Sequence, residues 1–349
     1  MRLFARVVLV LLLIAAASAL VEAVLEIVDR RAHPPRGVFA DAGGFRLRLQ
    51  PGGSGEPGPT VLLETGIGGA TSVTWAWVQR GVAAFAPVVS YDRAGLGESE
   101  PGPMPRDGER LVVELHTALG NAGIRPPYVF VGHSYGGLLA RLYTRRYPGE
   151  IAGAVLCESS HPGQFGGTNA RPPSLVRVLR SLAGAAPWLA RFGVIRLFVT
   201  LVPTDADLLP PRERAEQKAY LASPRHWVGT VRELEAWVPL TNPETRRTSG
   251  FGERPLYVLT AGTSAARWGP WRMLQDEVAA LSTDSVHRIE PGATHGSLIA
   301  DSTHAATVVR AIREVVQAIR TRRPLREVVT SRERDQTAPG GPAVAGTGS

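Results

Sequence analysis

The pentapeptide GHSYG, Gly132 to Gly136, lies between the apolar run YVFV and the helix-patterned stretch GGLLARLYTRRY. A serine between two small residues at a strand-to-helix junction is the pattern of a nucleophile elbow, in which a sharp turn lifts the hydroxyl above the sheet edge. The helix that starts beneath Ser134 favours negative charge there. Serine is a weak nucleophile at its ordinary pKa, so the pattern demands a histidine base later in the chain and a carboxylate to orient it.

Of eight histidines, His295 in PGATHGS stands between the last strand and the last long helix, where an order of serine, acid, histidine places the base. His161 follows a strand end close to the elbow and is the one serious rival. His133 is expected to point away from the nucleophile, and His116 and His304 fall inside helices. The carboxylate is assigned to Glu158, which ends the run AVLCES one strand after the elbow. The loop after PLYVLTAG reads TSAARWG and holds no carboxylate before Asp276. Asp276 and Asp284 are the alternatives. Negative charge on an attacked carbonyl oxygen needs two backbone N–H donors. One is expected from Tyr135 and the other from the turn TGIGG, at Ile67. That turn lacks the Lys and Ser or Thr of a phosphate loop and the full dinucleotide-binding spacing. No metal or organic cofactor is implied.

These residues need a scaffold. Short runs rich in Val, Leu and Ile read as strands buried on both faces: APVVSYD, YVFVGHS, AGAVLCES and PLYVLTAG, with SVHRIEPG as a fifth. Helical stretches at 108–122, 136–147 and 272–281 alternate with them, which argues for a mainly parallel sheet flanked by helices. FRLRLQ and TVLLETG, separated by PGGSGEPGP, read as an opening antiparallel hairpin. Residues 160–251 carry no convincing strand and form an expected helical cap, inserted between core segments 34–159 and 252–322. The cap arginines are read as a solvated face, with contact to anionic lipid head groups the alternative. Residues 323–349 lack periodicity and read as a disordered tail.

Residues 1–33 place Arg2 and Arg6 before an apolar run from Val7 to Val21, a signal-anchor or a signal peptide. The run falls short of the ~20 residues of a usual span, though neighbouring residues extend it. Ala17, Ser18 and Ala19 offer a cleavage site. Either reading puts the following domain outside the cytoplasm, anchored to the membrane or secreted after cleavage.

The 349-residue chain is 44% hydrophobic and 20% charged, a globular composition that excludes collagen and wholesale disorder. Its formal charge of +8 comes from scattered arginines, with Lys218 the one lysine, so no basic and aromatic stripe points to nucleic acid. Cys157 is the one cysteine, which excludes an intrachain disulfide. Oligomeric state is not legible.

TGIGG, YDRAGLGES, GHSYGG, VLCESSHP and GATHGS, in this order, resemble the α/β-hydrolase fold family with a helical cap, over about Gly43 to Arg320. The resemblance implies a serine hydrolase acting on an ester or related acyl bond through an acyl-enzyme. It makes YDRAGLGES the counterpart of a DxRGxGxS turn, with Asp92 and Arg93 structural. It also implies an acid after the sixth strand in some branches and the seventh in others. Dehalogenase or epoxide hydrolase chemistry in this family requires aspartate where Ser134 stands. Thr65 and Ile67 replace a His and an aromatic common in relatives, and the acid is Glu instead of Asp. Trp188, Trp227 and Trp237 of the cap, Trp268 and Trp271 after the seventh strand, and Trp75 and Trp77 after the TGIGG turn suit an apolar acyl or aryl group, with core or lid packing the alternative. The competing readings are a ligand sensor without turnover and an acyltransferase using the same residues.

Overall fold

The computed structural model describes residues 2–53, 58–165 and 170–337. Eight strands form one sheet in the order β1-β2-β4-β3-β5-β6-β7-β8. They are β1 (Val38–Asp41), β2 (Arg46–Gly52), β3 (Thr60–Glu64), β4 (Val88–Tyr91), β5 (Tyr128–His133), β6 (Ile151–Cys157), β7 (Leu256–Ala261) and β8 (Ser285–Glu290). From β4 through β8 all pairings are parallel, and β2 runs antiparallel to both β1 and β4. The expected hairpin is therefore corrected. FRLRLQ does not pair with TVLLE, because β4 lies between them and the four-residue β1 supplies the antiparallel neighbour.

The helices are α1 (Arg2–Ala32), α2 (Ala76–Ala83), α3 (Gly108–Asn121), α4 (Gly136–Arg146), α5 (Pro173–Arg191), α6 (Val194–Leu201), α7 (Pro211–Ala222), α8 (Pro224–Ala236), α9 (Asn242–Arg246), α10 (Gly262–Arg267), α11 (Pro270–Ala279), α12 (Ser297–Ala300), α13 (Ser302–Thr321) and α14 (Leu325–Thr337). Side chains alternate across a strand, so β5 sends Phe130 to one face and Val129 and Val131 to the other. Phe130 packs with Leu115 of α3 and Leu138 and Leu142 of α4. Val129 and Val131 pack with Val78 of α2 and Ile312 and Val315 of α13. Burial on both faces is why the run YVFV of β5 and the run LYVL of β7 are apolar without alternation.

Two termini depart from expectation. Residues 325–337 form α14, and its Leu325, Val328 and Val329 are buried against the α2 and α13 side of the sheet. The tail reading fails there, and residues 338–349 lie outside the described residues. At the other end α1 is not detached from the fold. Its apolar first half is exposed, but Glu22 is buried against Arg196 of α6, and Ser18 donates to the carbonyl of Phe192 at 2.8 Å. Helices α5 to α9 fill the chain between β6 and β7.

Candidate active site

The C-terminal ends of β3, β5, β6 and β7 converge, the edge at which parallel sheets gather functional loops. Ser134 follows β5 with a φ of 54°, a left-handed conformation that non-glycine residues rarely adopt. Three backbone bonds fix it: its N–H donates to Cys157, and its carbonyl accepts from Gly137 and Ser160. Glycine is required on both sides. A Cβ on Gly132 would lie 2.5 Å from the Gly136 carbonyl oxygen, and one on Gly136 would lie 2.6 Å from that of Glu64. Helix α4 begins at Gly136 with its N-terminus beneath the serine.

Glu158 follows β6, also at positive φ (49°), and its N–H donates to Leu259 of β7 at 2.7 Å. Its carboxylate is buried and held by three donors. Oε1 accepts from the Ala261 N–H at 2.7 Å and the Trp271 indole at 2.9 Å, while Oε2 lies 3.2 Å from His295 Nδ1. Burial pushes this carboxyl up, but the bonds from His295, Trp271 and Ala261 outweigh it and hold the group below the usual carboxylate range. The end of β7 thus brings no carboxylate to this cluster; Ala261, and Trp271 of α11 beyond it, bring donors to Glu158.

His295 lies in the loop between β8 and α12, with its side chain half-exposed. His133 does not simply point away. Its Nε2–H donates to the His295 carbonyl at 2.8 Å, and the two rings stand 4.7 Å apart. Burial, with His295 adjacent, pushes His133 down to about 3, so it stays a neutral imidazole that pins the His295 backbone. The rival His161 turns its Nε2 to Glu277 at 3.3 Å. Asp276 pairs with His287, and Asp284 accepts from the Leu325 N–H. Neither carboxylate approaches His295.

Ser134, Glu158 and His295 line one cavity of about 410 Å³, together with Phe165, Trp237 and Trp271. A second cavity of about 320 Å³ is lined by Ile67, His133, Thr204, Gln217 and Leu221, and His295 belongs to both. The turn carrying Ile67 packs on the serine, since a Cβ on Gly66 would lie 3.0 Å from that of Ser134. Arg93 fixes this turn from below. Its guanidinium donates to the carbonyls of Thr65 (2.9 Å) and Gly66 (2.8 Å), and is held by Glu64 at 2.6 Å and Glu233 of α8 at 2.8 Å. Burial opposes the Arg93 charge, but Glu233 and Glu64 more than restore it and raise the guanidinium well above its ordinary value. Burial pushes Glu64 up despite Arg93. Among the described residues no group of three or more His, Cys, Asp or Glu side chains could hold a metal ion.

Residues 57–311 match the model of the alpha/beta hydrolase family. The chain belongs to that family. An esterase from Exiguobacterium antarcticum superimposes with a TM-score of 0.63 at 13% identity, covering 81% of this chain and all of that one. The epoxide hydrolase CorEH superimposes with a TM-score of 0.63 at 16% identity, over 80% of this chain and 97% of its own. At these identities the likeness concerns the fold. Among curated sequences, an AB hydrolase superfamily protein of Gibberella zeae is 34% identical over 106 residues, 29% of this chain and 33% of its own length. The human (lyso)-N-acylphosphatidylethanolamine lipase is 27% identical over 143 residues, 38% of this chain and 40% of its own. The matched stretches thus span well under half of these relatives. Hydrolase-family relatives include esterase, lipase and epoxide hydrolase.

Three contributors to the site carried no local signal in the sequence: the Ala261 N–H, the Trp271 indole and the Arg93 link to Glu233. Each acts on a partner more than a hundred residues away.

Proposed function

We propose that this alpha/beta hydrolase family member is a serine hydrolase of an ester or related acyl bond, with Ser134 as nucleophile, His295 as base and Glu158 as the acid. The observation that carries the reading is the 3.2 Å contact of His295 Nδ1 with a Glu158 carboxylate locked by Trp271 and Ala261, in the cavity that Ser134 faces. With Nδ1–H donating to Glu158, Nε2 keeps the lone pair that takes the serine proton. Ser134 Oγ then bonds the substrate carbonyl carbon, and the oxyanion is received by the N–H groups of Tyr135 and Ile67. Collapse expels the alcohol, which takes its proton from His295. Water, deprotonated by the same imidazole, releases the acid and restores the serine. The two cavities on either side of His295 offer room for the acyl and alcohol parts, and the tryptophans favour an apolar acyl group.

Helix α1 is read as a membrane anchor, with the folded domain outside the cytoplasm. The Ser18 bond to Phe192 favours retention, because cleavage after Ala19 would remove it. An anchored protein stays with the membrane through an alkaline wash.

The test of the chemistry is labelling by a fluorophosphonate, read by peptide mass, with Ser134→Ala alongside. Stoichiometric label on Ser134 is expected. A folded protein that takes no label, or a Ser134→Ala variant that labels as well, overturns the assignment.

A further inference from the structure

The large exposed apolar side chains concentrate on one part of the molecule outside α1. Helix α6 presents Val194, Leu197, Phe198 and Leu201 to solvent, positions i, i+3, i+4 and i+7 of one helix face, and the exposed Val202 follows its end. Leu197 is 60% and Leu201 70% exposed, and on α5 Leu182 (66%) and Trp188 (70%) continue the surface. Helices of water-soluble domains bury such a stripe, so this one has a partner. The two helices meet at 98° across Phe192 and Gly193.

The contacts of α1 identify the partner. Arg196, on α6, grips Glu22 through three bonds of 2.7, 2.8 and 3.0 Å and reaches Asp29 at 2.8 Å. Glu22 ends the apolar run of α1, so α6 sits level with the point where α1 leaves hydrocarbon for the polar interface. Ser18, one turn earlier, bonds the Phe192 carbonyl, which sets the turn between α5 and α6 about 6 Å deeper along α1. Interfacial helices bury their apolar faces to about that depth, ~5–10 Å. Exposed arginines at 177, 180 and 191 on α5 suit anionic head groups beside it. Leu179 belongs to the same exposed surface of α5 and also lines the cavity that holds Ser134.

We propose that α6 and the end of α5 lie in the outer membrane–water interface beside α1, and that the catalytic cavity receives its substrate from the bilayer, an acyl ester of a membrane lipid. The proposal rests on the anchor and serine hydrolase readings above. It makes the exposed stripe a seat for lipid and the α5 lining a passage from lipid to Ser134.

The test uses the full chain in vesicles of mixed phosphatidylcholine and phosphatidylglycerol. Spin labels on Leu197→Cys and Leu201→Cys are compared with one on Thr321→Cys, at the far end of the 20-residue α13. Cys157 is buried and leaves the label to the introduced thiol. Labels at 197 and 201 should relax faster with oxygen than with a water-soluble nickel complex, and the label at 321 the reverse. Equal nickel access at all three sites overturns the docking, whatever the enzyme does. In the second arm Leu197→Asp combined with Leu201→Asp should slow turnover of a long-chain ester in the vesicles at least about tenfold and leave a soluble short-chain ester unaffected. Equal slowing of both, or of neither, overturns delivery from the bilayer. Wild-type protein that turns over neither ester removes the hydrolase reading, while the depth measurement still decides the docking.

Discussion

The indole N–H of Trp271 donates to Glu158 Oε1 at 2.9 Å, on the side of the carboxylate away from His295. Trp271→Phe keeps the ring and removes the donor. A hydrogen bond to a charged group contributes ~1.5–3 kcal/mol, so kcat should fall about tenfold or more with KM little changed. The Glu158 carboxyl should rise towards its ordinary range. An unchanged kcat would mean that the indole only packs.

Glu158→Gln removes the charge behind His295 and should lower kcat by about 10²–10⁴, as expected when the base loses its orienting carboxylate. Asp276→Asn is the matched comparison, since Asp276 contacts His287 on the surface and not the site. Steady-state kinetics on an activated ester decide it. If Asp276→Asn is the damaging change, the acid has been misassigned.

Arg93 ties three elements at once: the turn carrying Ile67, the end of β3 through Glu64, and α8 through Glu233. Arg93→Met leaves two buried carboxylates without their cation and should cost about 3–5 kcal/mol in urea unfolding. Glu233→Gln keeps the hydrogen-bonding shape and the Glu64 pair. It should unfold closer to wild type yet loosen the turn carrying Ile67, visible as a lower kcat if that turn receives the oxyanion as proposed. Equal unfolding midpoints for Arg93→Met and wild type would show that the cluster contributes nothing net.

What the sequence revealed follows from which contacts are local. β5 and β7 were legible because burial on both faces leaves an unbroken apolar run, and the elbow because strand, serine and helix are contiguous. The family model supports the α/β hydrolase fold that the motif order implied. β1 was missed because a four-residue edge strand, VFAD, has no room for a pattern. The partners of β2 were misjudged because β4 reaches it from across a turn and a helix. The role of Trp271 was hidden because its acceptor lies 113 residues away. Glu158 was found as a carboxylate at a strand end, but the donors that lock it were not.

Helix α14 gives the next prediction. Leu325, Val328 and Val329 keep helical spacing, a signal swamped by the charged residues around them. Val328 is buried with the α13 residues, so Val328→Asp places a charge in an apolar layer and should cost about 3 kcal/mol or more. Thr330→Asp, on the exposed side, should leave the urea midpoint within about 0.5 kcal/mol of wild type. Two unaffected midpoints would return this segment to the status of a tail.

Acid should destabilise the fold well above the carboxylate range. Burial pushes His133 down to about 3 and His226 to about 4, and His226 is satisfied as a neutral ring by the Gly69 carbonyl and the Gly97 N–H. Above the ordinary imidazole pKa of about 6.5 both states are neutral and neither residue affects stability. Below it the unfolded chain binds protons that the folded one refuses, so stability falls with pH until the folded values are reached. At pH 5 each ring should cost about 2 kcal/mol. Glu158, held below its usual range, adds its own loss only at lower pH. Burial, with Arg141 and Arg246 nearby, also pushes His161 down to about 4. Urea unfolding between pH 7.5 and 5 measures the slope, and His226→Gln should remove about a third of it without changing its sign. A midpoint that stays level to pH 5 would mean that these rings accept their protons in the folded state.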